Sequence, residues 1–225
     1  MERHQRHRAA YLELGRSSRY SSARAEAPQA MRGKSGVLVG IGILILLAVF
    51  PAGAWAGSYF SSGPTMPGGR AGANVALLPN GSVLVAGGYD GSNRLSSAWV
   101  FNPADGSFSS TGSMGTARQQ SATVPIAGGK VLVAGGLGNS FQRFATAEIY
   151  DAASGVFTPI AATMSVTRQS PATALLPDGR VLIAGGLSPS VVSSAETFDP
   201  VSQTFSATGS MTTSRALAAS AVLPR

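Results

Sequence analysis

A segment that recurs three times, at intervals close to 50 residues, constrains the fold more than any other feature of this chain. It reads LLPNGSVLVAGG at residues 77–88, PIAGGKVLVAGG at 125–136 and LLPDGRVLIAGG at 175–186, and a partial version, VLPR, occupies 222–225. A methionine and, four residues later, an arginine precede each copy: Met66 and Arg70, Met114 and Arg118, Met164 and Arg168, Met211 and Arg215. Because the pattern returns in register, it predicts structural units of about 50 residues.

Each unit is predicted to fold as four short strands. In the third copy we expect strands at 171–176, 181–184, 195–198 and 204–206, with a Pro-Asp-Gly turn after the first and an Asp-Pro turn after the third. The second is apolar throughout, which is typical of a strand covered on both faces. The glycine pair that ends it indicates a close backbone approach, and residues 187–194 are predicted to form a loop. The 28 glycines and the low charged fraction of 12% agree with many short strands.

These units resemble the kelch repeat of β-propeller proteins. The resemblance lies in the glycine pairs, in Tyr150 and Phe198 downstream of them and in the Met-x3-Arg openings, and it covers residues 66–225. It is strongest to bacterial kelch proteins related to the propeller domain of galactose oxidase. It implies an all-β fold, a propeller segment of about three four-stranded blades plus one extra strand. The blades would span residues 67–113, 114–163 and 164–210, with a partial blade at 211–225.

The number of units is small for a closed ring, since propellers typically have about 4–8 blades. Three blades and one strand would leave an apolar face and sheet edges open. Three explanations remain: a propeller that is truncated, two chains that associate to complete one ring, or an open arc. The sequence stops inside a unit, which favours truncation.

The N-terminal quarter has a different composition. Residues 1–35 are predicted to be a basic, disordered tail, with a basic arm that contacts anionic lipid or nucleic acid as the alternative, and Met31 is a possible true start. Residues 36–56 combine a densely apolar run with an Ala-x-Ala site, which predicts a cleaved signal peptide or, alternatively, a transmembrane anchor. Residues 57–66 are a linker. Either reading places the repeats outside the cytoplasm, secreted, periplasmic or membrane-anchored.

The repeats hold few residues suited to catalysis. The two histidines, His4 and His7, lie in the tail, and the chain has no cysteine. We therefore expect no metal site, no cofactor and no catalytic residue, and the copper chemistry of galactose oxidase does not carry over. The net charge of +7 comes mostly from the first 35 residues, so nucleic-acid binding is not expected. The expected function is non-catalytic binding of a protein, peptide or polysaccharide; the alternative is a fragment of a carbohydrate-active propeller enzyme.

The recurring arginines are the first candidate binding residues. The resemblance implies that Arg70, Arg118, Arg168 and Arg215 ring a channel mouth and form an anion site. Alternatively, each arginine fixes the blades by bonding a neighbouring blade or a repeat glutamate, and its recurrence in every unit favours this interpretation. Glu148 and Glu196 occupy equivalent positions and are expected to be structural partners, whereas the first unit has Trp99 there.

The loops after the glycine pairs differ between units, and variable loops on a rigid scaffold often carry specificity. The candidate contacts in them are Tyr89, Asn93, Arg94, Phe141, Gln142 and Arg143. Solvated connections without a binding role are the alternative for these loops.

Overall fold

The computed structural model describes residues 63–221. The predicted tail, signal or anchor segment, most of the linker and the last four residues lie outside this range. The described part folds into three four-stranded antiparallel sheets, which confirms the all-β fold and the three blades. Blade 1 consists of β1 (Asn74–Leu77), β2 (Val83–Ala86), β3 (Ala98–Asn102) and β4 (Ser107–Thr111). Blade 2 consists of β5 (Ala122–Ile126), β6 (Lys130–Ala134), β7 (Ala147–Asp151) and β8 (Val156–Pro159).

Blade 3 departs from the prediction in one place. Its strands are β9 (Ala172–Leu175), β10 (Val181–Ala184), β13 (Ala195–Asp199) and β14 (Thr204–Thr208). Between β10 and β13, where a loop was predicted, the chain forms a small hairpin of β11 (Leu187–Ser188) and β12 (Ser190–Val191). The predicted extra strand is absent from residues 209–221, although that segment still bonds to blade 3 through Leu217, whose N–H donates to Ser170 O.

Each blade is a meander in which consecutive strands pair. The first strands, β1, β5 and β9, are the ones that approach the neighbouring blade's first strand, with β5 between the other two. They are therefore the innermost strands. The connections β2–β3 and β4–β5 share one end of the blades, which we call the loop edge. The connections β1–β2 and β3–β4 share the other, which we call the hairpin edge.

Residues alternate faces along each strand, so each blade has two faces that can pack against its neighbours. The core lies where the faces of adjacent blades meet. Leu84 and Ala76 of blade 1 pack against Val131 and Tyr150 of blade 2, and Leu132 of blade 2 packs in the same way towards blade 3. In each blade an aromatic pair joins the third strand to the fourth, with ring centroids 4.7–4.9 Å apart. Side chains from two adjacent blades thus fill each core layer. Within residues 63–221, no helix is long and apolar enough to cross a membrane.

Candidate binding surface at the loop edge

The arginine that opens blade 2 is buried at the joint between two blades. Arg118 has no exposed surface. Its Nη1 donates to Gly135 O at 2.9 Å and to Thr146 O at 3.0 Å, which ties the segment before β5 to the end of β6 and the start of β7. Its backbone oxygen accepts from Gly88 N of blade 1 at 3.1 Å. The side chain therefore holds its own blade while the backbone holds the preceding one.

A buried glutamate completes this joint. Arg118 Nη2 donates to Glu148 Oε1 at 3.0 Å, and the side chains are 0% and 3% exposed. The carboxylate also accepts from the backbone N–H groups of Gly115 and Thr116, at 2.7 and 3.1 Å. These two residues belong to the segment from Met114 to Arg118, which we call the opening turn of blade 2; the corresponding opening turns are residues 66–70, 164–168 and 211–215. Burial lowers the pKa of Arg118, and Glu148 opposes that shift.

Blade 3 repeats the arrangement. Arg168 donates from Nη1 to Gly185 O and to Ser194 O, both at 2.8 Å, and from Nη2 to Glu196 Oε1 at 3.0 Å. Glu196 Oε2 accepts from Ser165 N at 2.8 Å. The expectation that the two glutamates are structural partners is confirmed. An open anion site at Arg118 and Arg168 is not supported, because protein groups already occupy both buried guanidinium groups.

Blade 1 keeps the arginine without the acid. Arg70 donates from Nη1 to Gly87 O at 3.0 Å and to Ser97 O at 2.7 Å, and from Nη2 to Ser97 Oγ at 2.7 Å. It is only partly buried, and within the described range no carboxylate lies within ion-pair distance of it. Burial lowers its pKa, and the charge of Asp90 opposes this shift.

The fourth arginine has a different environment again. Arg215 is exposed, and its described side-chain hydrogen bond is from Nε to Thr213 O at 3.5 Å. Its backbone oxygen still accepts from Gly186 N at 2.9 Å. The four arginines therefore occupy equivalent backbone positions, but their guanidinium groups do not form one common cluster.

The glycine pairs are explained by the same joint. The first glycine of each pair has a positive φ, 72° at Gly135. A Cβ there would collide with Arg168 O and lie 3.1 Å from the Met164 methyl carbon. Met114, Met164 and Met211 thus each pack onto the first glycine of the preceding blade's pair. The predicted close approach at the glycine pairs is confirmed.

The residue two positions after each of the four arginines has a left-handed backbone conformation. The sequence analysis did not predict this row of residues. Gly72, Gln120, Ser170 and Leu217 have φ values of 50–62°. The N–H of each later member donates to the carbonyl of the preceding one, at 2.9, 2.8 and 3.0 Å. This row links the blades directly. Its spacing matches the arginine spacing, but only one of its members is a glycine, so the residue types carried no signal.

Three of the predicted loop residues form one cluster between blades 1 and 2. The guanidinium carbon of Arg94 lies 5.1 Å from the Tyr89 ring centroid and 4.5 Å from that of Phe141. Asn139, which sequence analysis did not single out, accepts from Arg94 N through Oδ1 at 2.6 Å. Phe141 is 71% exposed and has a φ of 57°.

The other predicted loop residues lie outside this cluster. Arg143 is half-buried and forms an isolated β-bridge with Leu137, which closes its own loop. Asn93 and Gln142 are exposed and hold local turns: Asn93 O accepts from Asp90 N, and Gln142 Oε1 accepts from Ser140 N. We name Tyr89, Arg94, Asn139 and Phe141 the Arg94 cluster.

The charges that are not in buried pairs are divided between the two edges. The loop edge carries Arg70, Arg94, Arg143 and Arg215 against Asp90. The hairpin edge carries Asp105, Asp151, Asp178 and Asp199 against Lys130 and Arg180. The aspartates at the hairpin edge accept backbone N–H bonds within their turns, as Asp105 does from Ser107. In the described part of the chain, the loop edge is therefore positive and the hairpin edge negative.

Comparison with known proteins agrees with this architecture. A family model described as the kelch motif matches residues 70–115. The chain is similar to the solved structure described as "Structure of YjhT", with a TM-score of 0.57 and 16% sequence identity over 67% of this chain and 54% of that one. The chain thus spans about half the length of that protein. No curated protein matches it. The described sheets are blades of a kelch-type β-propeller segment.

Proposed function

We propose that this kelch-repeat module binds an anionic peptide or polysaccharide, without catalysis, through the loop edge of blades 1 and 2. The observation that carries the proposal is the Arg94 cluster, in which an arginine stacked between two rings presents one of them, Phe141, to solvent. Arginine and tyrosine are among the side chains most enriched at binding hot spots, and phenylalanine is enriched at the cores of protein interfaces.

The backbone of Phe141 supports a binding role. A bulky residue in the left-handed region is unusual and costs about 1–3 kcal/mol, and such residues concentrate at functional sites. Here the φ of 57° is held by a hydrogen bond from Phe141 N to Gly138 O at 3.0 Å. The Arg94–Asn139 contact braces the same loop against blade 1. The exposed ring therefore stands on a fixed support, which limits the entropy lost on binding.

The charge of the loop edge supports an anionic ligand. Arg94 and Arg143 come from neighbouring blades, and the only acid among the described loop-edge residues outside the buried pairs is Asp90. Positive potential over such a surface steers anionic ligands and repels cationic ones. Carboxylate and sulfate groups match the donor geometry of arginine.

The absence of catalysis is proposed from the residue types. Of the two buried carboxylates in the described part of the chain, Glu148 accepts from Arg118 and two backbone N–H groups, and Glu196 accepts from Arg168 and one. The histidines of the chain are at positions 4 and 7, far from the repeats in sequence. A carboxylate fixed in this way is a poor proton donor or nucleophile.

A site of action outside the cytoplasm is part of the proposal. It is supported by the apolar run at residues 37–50 and by Ala54 and Ala56, which fit a signal peptide. N-terminal sequencing of the exported protein should find a mature start at residue 57. A start upstream of residue 37 would exclude cleavage at this site.

Binding is tested with the full chain on arrays of acidic and neutral glycans and peptides, followed by titration of the strongest ligand. Phe141→Ala and Arg94→Gln should each weaken binding about tenfold or more, as expected for hot-spot residues. Val201→Ala is the matched control, because Val201 is 94% exposed at the hairpin edge. Equal affinity of all three variants and the parent would refute the proposed surface.

A further inference from the structure

The turn between β1 and β2 holds Asn80, which is the only asparagine of the chain that is followed by a glycine. Because glycine has no side chain, the backbone nitrogen of Gly81 is unhindered and its dihedral angles are less restricted than those of other residues. Such a nitrogen can attack the side-chain amide carbon of the preceding asparagine and close a succinimide ring. The pair is therefore suited to a modification that needs no enzyme.

The turn is open to water. Asn80 and Gly81 are exposed, and no heavy atom lies within 4 Å of where a Cβ would stand on Gly81. One contact opposes the reaction, because the N–H of Gly81 donates to Leu78 O at 2.9 Å and has to leave this bond before the nitrogen attacks. A single turn bond at an exposed hairpin opens locally, without unfolding of the blade.

A second contact favours the reaction. The backbone N–H of Ser82 donates to Oδ1 of Asn80 at 3.0 Å and holds the side-chain amide against the turn. This oxygen takes up negative charge when the Gly81 nitrogen adds to the amide carbon. A fixed N–H donor on such an oxygen stabilises the charge that develops there.

Blade 3 shows that the product fits the turn. Asp178 stands in the place of Asn80, and its Oδ1 accepts from Arg180 N at 3.1 Å. The N–H of Gly179 donates to Leu176 O at 2.9 Å, as in blade 1. The side chain of Arg180 also pairs with Asp178 at 2.7 Å, and its hydrogen bonds lower the pKa of that carboxyl group. An ionised carboxylate resists nucleophilic attack, so Asp178 should not react in the same way.

We propose that Asn80 is a site of spontaneous deamidation in the folded protein, with Gly81 as the intramolecular nucleophile. The Gly81 nitrogen loses its proton and bonds to Cγ of Asn80, the bond from Cγ to the side-chain nitrogen breaks, and ammonia leaves. Water then adds to one of the two imide carbonyls. Addition at Cγ breaks the new bond and gives aspartate, whereas addition at the backbone carbonyl gives isoaspartate.

Both products change blade 1. Each adds a negative charge to the hairpin edge, which is already negative. Aspartate retains the turn, as Asp178 shows, whereas isoaspartate lengthens the main chain between Leu78 and Ser82 and breaks their hydrogen bond. The site does not involve the Arg94 cluster and goes beyond the proposed function.

The first test follows the reaction in the full, folded chain during prolonged incubation in warm neutral buffer. The tryptic peptide of residues 71–94 contains Asn74, Asn80 and Asn93, so fragment mass spectra compare the three sites within one molecule. Asn93 is the matched control, since it is also exposed but precedes an arginine. Asn80 should convert about tenfold faster than Asn93 or more, because only its neighbour lacks a side chain. Isoaspartate should accompany aspartate, since direct hydrolysis gives aspartate alone. Equal rates at the two sites, or a product without isoaspartate, overturn the proposal.

The second test asks whether the folded or the unfolded chain reacts. Glu148→Ala leaves Arg118 buried and unpaired in blade 2, which destabilises the fold and raises the unfolded population. A reaction through local opening of the turn should proceed at the rate of the parent, within about twofold. A rate that rises about a hundredfold or more, in step with the unfolded population, assigns the reaction to the unfolded chain and overturns the proposal.

Discussion

The Arg118–Glu148 pair illustrates how a single charge decides the stability of a blade. Both side chains are removed from water, with 0% and 3% exposed. Burying an ion pair gains little overall, but an unpaired buried charge is costly. The guanidinium group also serves the carbonyls of Gly135 and Thr146. In blades 2 and 3 the carboxylate also accepts from backbone N–H groups of the opening turn, so each pair holds that turn in one position.

Glu148→Ala should lower the free energy of unfolding by about 3–5 kcal/mol, because it leaves Arg118 charged, buried and without its acid. The double variant Arg118→Met with Glu148→Met should lose less than this single variant, since both charges are removed together. Urea denaturation measures both. The control is Asp178→Ala at an exposed pair, whose partners are 48% and 50% exposed, with an expected loss below about 1 kcal/mol. A loss at Glu148 as small as at Asp178 would show that the burial of the pair carries no energetic weight.

At the scale of the element, the four-strand blade followed directly from the sequence pattern. The strand predicted at 181–184 coincides with β10, because a continuous apolar run between a Pro-Asp-Gly turn and a glycine pair has clear boundaries. The prediction that the glycine pairs mark close backbone approaches is confirmed, because a Cβ at Gly135 would collide with Arg168 O. Repetition in register made these predictions secure, since each unit tests the others.

Other features could not be read from the residues. Arg94 meets Asn139 across a separation of 45 residues, a contact fixed by the relative placement of two blades. The left-handed conformations of Gln120 and Phe141 are imposed by neighbouring backbone, since neither residue type favours them. The hairpin of β11 and β12 has no sequence signal beyond a Ser-Pro-Ser turn. The Arg94 cluster therefore depends on tertiary contacts that the local sequence pattern does not encode.

Gly135→Ala should destabilise the protein by several times the effect of Gly179→Ala, as measured by thermal or urea unfolding. Both glycines have a positive φ, 72° and 85°, so both substitutions share the strain of a left-handed alanine, about 1–2 kcal/mol. At Gly135 a Cβ also collides with Arg168 O, whereas at Gly179 it meets open space. Equal losses at the two positions would mean that the joint between the blades relaxes without cost.

At the scale of the whole molecule, blade 1 and blade 3 each have one outer face that packs against no other described blade. These two faces correspond to the two sides of the joints that exist between adjacent blades. Blade 1 presents Val83 and Phe101, half-buried, where blade 2 buries Val131 and Tyr150 to 1% and 2% exposure. Blade 3 presents Leu182, also half-buried, where Leu84 of blade 1 is fully buried. Because the inner joints already pair these two kinds of face, the outer face of blade 3 fits the outer face of blade 1 of a second copy.

We therefore expect the full chain to self-associate head to tail at micromolar concentrations, with sedimentation velocity as the measurement. Phe101→Glu and Leu182→Glu should each weaken association at least tenfold, because each places a charge in an apolar joint, and combining the two on one chain should leave it monomeric. Mixing the two single variants should restore one joint per pair of chains. The Phe101→Glu chain keeps its blade 3 face intact, and the Leu182→Glu chain keeps its blade 1 face intact. Val201→Glu, at a side chain 94% exposed on the hairpin edge, is the matched control and should associate as the parent does. A parent chain that stays monomeric at about 100 μM would contradict the pairing of these faces, because its association free energy would then be weaker than about 5.5 kcal/mol.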